Sequence, residues 1–202
     1  MKIILASQSP RRQELFSKYG LEFDVVPSNF DESTIQYLNS PADYCCKLAE
    51  EKAKEVSDLY PDNLVIGADT IVVLKNKFFP KPKDLTQTKL FLNELADKTH
   101  QVYTGVSLNH KINDMSHSFY KKTDVTFHPL SEDDIDHYTS VENPMDKAGG
   151  YGIQDFSSVF VKKIDGCYFN VVGLPLSRLY LEIKKKYSKL IENLLVAKME
   201  TL

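Results

Sequence analysis

The run Leu64-Val65-Ile66-Gly67-Ala68-Asp69-Thr70-Ile71-Val72-Val73-Leu74 sets the hardest condition on any fold of this chain. It is rich in β-formers, with interruptions expected at Gly67 and at Asp69-Thr70. A carboxylate amid β-branched residues costs several kcal/mol if it is buried without partners. Asp69 therefore calls for a cation, a hydrogen-bond network or a metal, unless it merely caps a turn in water. Gly67 and Ala68 leave room beside it for another backbone or for a ligand.

Helix signals alternate with strands around this run. Residues 2–6 read as a first strand. Ser9-Pro10 then supplies an N-cap and a proline at the first helical position, for a helix to Tyr19 that Gly20 stops. Residues 22–27 predict a second strand, and Ser40-Pro41 repeats the cap for a helix to about Ser57. Asp84 or Thr86 can cap a helix through about Ala96. Residues 100–108 and 118–127 read as long strands joined by a polar connection at 109–114. A helix over 134–141 follows the acidic start Ser131-Glu132-Asp133-Asp134. Residues 143–155 form a glycine-rich loop, 159–172 a hairpin turning at Asp165-Gly166, and 175–187 a final helix. Early alternation and later antiparallel pairs predict an α/β fold with a mixed sheet. No repeat or linker divides residues 1–202, so a single domain is expected.

Bulk properties exclude several classes. The net charge of −3 does not suit a surface built to coat a nucleic-acid polymer, although a local basic patch remains compatible with it. The apolar runs fall far short of the ~20 residues that cross a bilayer, and residues 1–6 are too short for a signal peptide. Three cysteines, two of them neighbours, make neither a disulfide framework nor a zinc site, so a reducing cytoplasm is the expected location. The five histidines lack metal-ligand spacing, and Lys184–189 reads as a solvated helix face.

Chemistry concentrates in a few places. Arg11 and Arg12 lie in the first turn of a helix, where their charge opposes the dipole. A phosphate bound between them would remove the conflict, whereas two solvated arginines would leave it to water. Lys52, Lys81 and the acidic pair Asp31-Glu32 are each, taken singly, ordinary surface charges; as a set they offer phosphate and hard-cation ligands. The loop Asp146-Lys147-Ala148-Gly149-Gly150-Tyr151-Gly152-Ile153-Gln154-Asp155 carries three glycines in four residues. Gln154 could read a base edge through its paired donor and acceptor. The loop matches neither a P-loop nor a dinucleotide fingerprint.

Together the segments Leu5-Ala6-Ser7-Gln8-Ser9-Pro10-Arg11-Arg12, Leu48-Ala49…Lys52-Ala53, Gly67-Ala68-Asp69-Thr70, Lys81-Pro82, Asp146-Lys147-Ala148-Gly149…Tyr151-Gly152-Ile153-Gln154 and Val172-Gly173-Leu174-Pro175 resemble the Maf family of nucleotide pyrophosphatases. The resemblance spans nearly the whole chain. It implies a two-lobed α/β fold related to the inosine-triphosphate pyrophosphatases, with a twisted mixed sheet flanked by helices and a nucleotide in the central cleft. It implies cleavage of a nucleoside triphosphate between its α- and β-phosphates, with Mg²⁺ or Mn²⁺. Carried over by position, Asp69 is the expected catalytic base or metal-linked carboxylate, and Glu32 a second metal-side carboxylate. Ser7, Arg12, Lys52 and Lys81 are the expected phosphate ligands.

Substrate choice in the family tracks the places held here by Arg11, Thr70 and Gln154. That combination is similar to the branch acting on dTTP and UTP rather than 7-methyl-GTP. A cationic Arg and a neutral Gln suit a pyrimidine carbonyl edge, while a methylated, cationic guanine would favour a carboxylate and an aromatic face. Rival expectations are a pyrophosphatase of 7-methyl-GTP or other modified nucleotides and a non-catalytic nucleotide-binding regulator of cell division. A homodimer is compatible with the resemblance alone. The chain departs from common family residues at Asp155, Gly150 and Pro80.

Overall fold

The computed structural model describes residues 1–38 and 40–188. Its centre is β3, Leu64–Leu74, in which every residue but Thr70 is buried. The expected interruption does not occur. β3 pairs antiparallel with β5, Thr99–His110, without a break from Val65↔Asn109 to Val73↔Gln101. Gly67 and Asp69 stay in the strand because tertiary neighbours offset their poor propensity, Ala49 and Ala53 against the glycine and Lys52 on the carboxylate.

β1, Ile3–Ala6, runs parallel to β3 and to β2, Phe23–Val25, while the remaining pairings are antiparallel. β6, Met115–Phe127, pairs with β5, and β7, Val161–Asp165, pairs with β6. The order is β2-β1-β3-β5-β6-β7, with β4, Lys77–Phe79, also on β3. One feature of this register governs the rest. On the edge of β3 away from β5, β1 ends opposite Gly67 and β4 reaches only as far as Val72, which faces its last residue, Phe79. The edge at residues 68–71 is left without a strand, and Asp69 and Thr70 stand in that gap.

One face of the sheet is covered by α2, Pro41–Leu59. Contact is close enough that a Cβ on Gly67 would lie 2.3 Å from the Ala49 carbonyl oxygen, and one on Gly105 2.3 Å from that of Cys45. Two glycines on adjacent strands thus let the helix backbone lie flush on the sheet. The opposite face carries two separate apolar cores. Ile66, Ala68 and Val106 belong to the first, with α1, Pro10–Ser17, and α6, Leu176–Lys186. Val72 and Val102 belong to the second, with α3, Leu85–Leu95, and α4, Glu132–Val141. Between Ala68 and Val72 on that face stands Thr70, and between Val106 and Val102 stands Thr104; their hydroxyls are 2.9 Å apart. This polar seam divides the two lobes.

The caps at Ser9, Asp84 and Ser131 form, the last as a full capping box with Asp134. Ser40 precedes its helix but makes no cap bond; its hydroxyl donates to Asp43 instead. The hairpin expected over 159–172 is wrong in its second arm. After β7 and Gly166, at φ +133°, the chain forms a short helix, α5, Tyr168–Val172, closed by Gly173 at φ +124°. Strand-like Val171 and Val172 are overridden because Asn170, fully buried, donates from Nδ2 to Val102 O and Thr123 Oγ1, 3.0 Å each. Lys184, Lys185 and Lys186 lie in the last turn of α6, where positive charge complements the dipole. Lys189 lies outside the described residues. Among the described residues no helix is long and apolar enough to cross a membrane.

Candidate functional site: a cationic cleft at a gap in the sheet

β1 delivers the chain to the gap, and α1 starts there. Ser9 Oγ accepts from Arg12 N at 3.4 Å, and Ser7 Oγ accepts from Ser9 N at 3.2 Å. The conflict between the arginines and the helix dipole is resolved within the protein. Arg12 turns away to the C-terminal end of α5, where Nε donates to Gly173 O at 2.8 Å. Its Nη2 donates to Thr70 Oγ1 at 3.0 Å and its Nη1 to Ser7 Oγ at 3.4 Å. Burial pulls its pKa down against the charge of Asp69, yet a guanidinium remains protonated. Arg11 donates from Nη1 to Asp146 Oδ2 at 2.9 Å.

Asp69 has its cation. Lys52, on α2 between the two alanines that press on Gly67, donates from Nζ to Asp69 Oδ1 at 2.6 Å. The same ammonium lies 2.7 Å from Glu32 Oε1. The glycine at 67 and the lysine at 52 are therefore one device: close approach of α2 brings Nζ to the carboxylate two residues along the strand. Burial pushes the Asp69 carboxyl above the ordinary range, against the pull of Lys52 and Arg12. Burial also pushes Glu32 up, but Lys52, Lys81 and Arg12 together outweigh it and hold that carboxyl below its usual value. Two carboxylates around one ammonium are thus driven in opposite directions.

Two adjoining cavities, of about 110 and 280 Å³, open at the gap. The first holds Asp69, Thr70 and Gln154; the second holds Ser7 and Glu32. Their common wall is Ser9, Arg11, Arg12, Lys52, Lys81 and Asp146. All nine residues expected at the site, Glu32 among them, line one cavity or both. Lys81 follows β4 at the far side of the gap and is exposed, with no hydrogen bond or ion pair among the described residues. Gln154 is likewise exposed, its amide unspent.

The loop before Gln154 is held from behind. Gly149 and Gly150 both take positive φ, +70° and +75°. Tyr138 Oη donates to Gly150 O at 3.1 Å, and Tyr151 Oη bonds His100 Nε2 at 2.7 Å. Lys147 Nζ donates to Asn143 O at 2.6 Å and to Asp146 Oδ1 at 3.0 Å, and lies 3.2 Å from Asp155 Oδ2. From the sequence, Asp146, Lys147, Tyr151 and His100 carried no site role, and Ser9 only that of a helix cap. The adjacency of Asp146-Lys147 to the glycines was a signal for the first two, whereas no local pattern marks His100.

Among the described residues no group of three or more His, Cys, Asp and Glu could hold a metal ion. Asp69 Oδ2 and Glu32 Oε2 have no hydrogen-bond partner there, so two oxygens beside the cationic wall remain free. A pair of carboxylates fits a Mg²⁺-like cation that keeps waters and takes its other ligands from phosphates, and does not fit an all-protein cage.

The fold and this cleft define an α/β protein whose cationic cleft, set beside a buried carboxylate, suits a polyanion. The chain belongs to the Maf family: the family model described as Maf-like protein matches residues 2–186. It is 46% identical over 184 residues to the dTTP/UTP pyrophosphatase of Bacillus anthracis, covering 91% of this chain and 95% of that one. It is 47% identical over 184 residues to the dTTP/UTP pyrophosphatase of Bacillus cereus (strain ATCC 10987 / NRS 248), covering 91% and 89%. Among solved structures, the Staphylococcus aureus Ham1 protein superposes with a TM-score of 0.42 at 16% identity, over 63% of this chain and 72% of that one.

Proposed function

We propose that the protein hydrolyses dTTP and UTP to the monophosphate and pyrophosphate, with Asp69 as general base. One observation carries the reading: a buried carboxylate with a raised pKa, Asp69, stands at the cavity wall where Arg12, Lys52 and Lys81 converge. The activity printed for the relatives supports the substrate class.

The triphosphate lies along the shared wall. Lys81, which makes no hydrogen bond or ion pair among the described residues, and Lys52 neutralise phosphate oxygens, and Ser7 and the start of α1 offer hydrogen-bond donors. Arg12, already anchored by Gly173 and Thr70, presents a guanidinium held in place before the nucleotide arrives. A water beside Asp69 attacks the α-phosphorus. Its proton passes to a carboxylate oxygen of Asp69, the bond from phosphorus to the bridging oxygen breaks, and pyrophosphate leaves. Burial keeps Asp69 basic enough for that proton, and Lys52 keeps it ionised beforehand. Glu32 and Asp69 would hold a Mg²⁺ or Mn²⁺ ion, which supplies charge neutralisation for the phosphates when bound. The base sits in the first cavity against Gln154, whose amide can match a pyrimidine carbonyl and imide. The same reading takes the chain as one domain, built on its single sheet, acting in the cytoplasm as a monomer or homodimer.

The test is pyrophosphate release across a panel of nucleoside triphosphates, with Mg²⁺, Mn²⁺ and chelator. Asp69→Asn should lower turnover by about 10³-fold or more while nucleotide binding persists. Wild-type turnover in that variant would remove Asp69 from the chemistry. Binding without pyrophosphate release by the wild type would instead identify a nucleotide-binding regulator, and a preference for 7-methyl-GTP would change the substrate.

A further inference from the structure

Asp146 is gripped from two sides. Its Oδ2 accepts from Arg11 Nη1 at 2.9 Å, and its backbone carbonyl accepts from Arg11 Nη2 at 3.5 Å. Its Oδ1 accepts from Lys147 Nζ at 3.0 Å, and that lysine is itself buried and tied to Asn143 O. A carboxylate held by two cations, one from α1 and one beside it in the loop, is oriented even though half of its side chain faces solvent.

Its location makes the pairing consequential. Of the six residues common to both cavities, Asp146 is the only carboxylate. A negative charge at that throat repels a polyphosphate unless it is cancelled, and Arg11 cancels it. The cancellation acts on Arg11 as well. The cationic pull on the phosphates is left to Arg12, Lys52 and Lys81. Both terminal nitrogens of Arg11 are directed at Asp146, which fixes the guanidinium plane and so the direction of its remaining N–H donors. Arg11 lines the cavity that holds Gln154.

Resting on the nucleotide reading above, we propose that Asp146 is a specificity-determining positioning residue, which withholds Arg11 from the phosphates and aims it at the base beside Gln154. It touches no reacting atom. Its effect falls on the choice between bases, because the fixed donors of Arg11 suit the carbonyl oxygens of a pyrimidine, and an unpaired Arg11 would bind the phosphates that every triphosphate shares.

Two readouts test this, with UTP and dTTP against ATP and GTP. Kd is measured by calorimetric titration in Asp69→Asn protein, and kcat/KM by pyrophosphate release with Asp69 intact. Asp146→Asn should cut the pyrimidine-over-purine ratio about tenfold in both, mainly through Kd and KM. Asp146→Glu should restore part of that ratio. In an Arg11→Gln background, Asp146→Asn should leave the ratio where Arg11→Gln alone puts it. An equal loss for all four nucleotides, an unmoved ratio, or an additive change in the Arg11→Gln background would each overturn the proposal. Wild-type protein that prefers pyrimidines in titration yet releases no pyrophosphate sinks the proposed activity, and Asp146 is then judged on the Kd ratios alone. Wild-type protein that binds none of the four sinks both.

Discussion

Lys52 divides its ammonium between Asp69 at 2.6 Å and Glu32 at 2.7 Å, and this sharing sets the state of the proposed base. With burial pushing the Asp69 proton affinity up, Lys52 is the largest force holding it down. Lys52→Met should therefore raise the Asp69 pKa further. Less of the carboxylate is then ionised at a given pH, so the acidic limb of the kcat/KM profile moves to higher pH, and kcat falls as well. A limb that stays in place would mean that Asp69 is not the titrating group. Arg12→Lys would keep the charge but lose the geometry. Nε, Nη1 and Nη2 each serve a different element, and an ammonium cannot span Gly173, Thr70 and Ser7 together.

At the scale of elements, α2 matters more through its fit than through its caps. Ser40 contributes no cap bond, yet the helix lies flush on β3 and β5 through Gly67 and Gly105. Gly67→Ala places a methyl 2.3 Å from the Ala49 carbonyl oxygen, a backbone atom that cannot swing aside. Its cost should be about 1–3 kcal/mol of stability. Because Lys52 rides on the displaced stretch, turnover should fall too. Ser131→Ala offers the contrast. Losing that capping box should cost about 1 kcal/mol in urea unfolding, with kcat/KM unmoved, because the box sits at the start of α4, about two turns from Tyr138, the residue of α4 that braces the loop through Gly150 O. Equal activity losses in the two variants would show that the fit of α2 has no special hold on the site.

The whole molecule is a continuous sheet with α2 on one face and two cores on the other, a polar seam between those cores and the cleft opening at the seam. His100 sits in the second core, fully buried, bonded through Nε2 to Tyr151, with no partner for Nδ1 among the described residues. Burial pulls its pKa to about 4 from 6.5, so the native state holds it neutral. Between those two values the unfolded chain binds a proton that the native state refuses. Stability should then be full above about pH 6.5 and fall by about 3 kcal/mol as pH drops toward 4. Urea unfolding of wild type and His100→Gln from about pH 7 to about pH 4.5 checks this. A slope unchanged by the substitution assigns the acid sensitivity elsewhere. Since Tyr151 leads into Gly152-Ile153-Gln154, acid should also loosen the base side of the cleft before the first core gives way.

Much of this was written locally. Ser9-Pro10, Asp84 and Ser131 each place an N-cap within one turn of the backbone it serves, so the helix starts were legible. The demand of Asp69 for a counter-charge was legible as well, because burying a bare carboxylate among Val and Ile is costly in any fold. The identity of the counter-charge was not. Lys52 is 17 residues away, and Arg11 meets Asp146 across 135. Such pairs follow from how sheet and helix pack, which no short window contains. The same reason explains the second arm of the expected hairpin. Val171 and Val172 favour a strand, but the bonds from Asn170 to β5 and β6 draw the segment into a helix. Chain-local chemistry thus settled where elements begin and which residue needed help. Long-range packing settled who supplies it, because an electrostatic partner is chosen by distance in space.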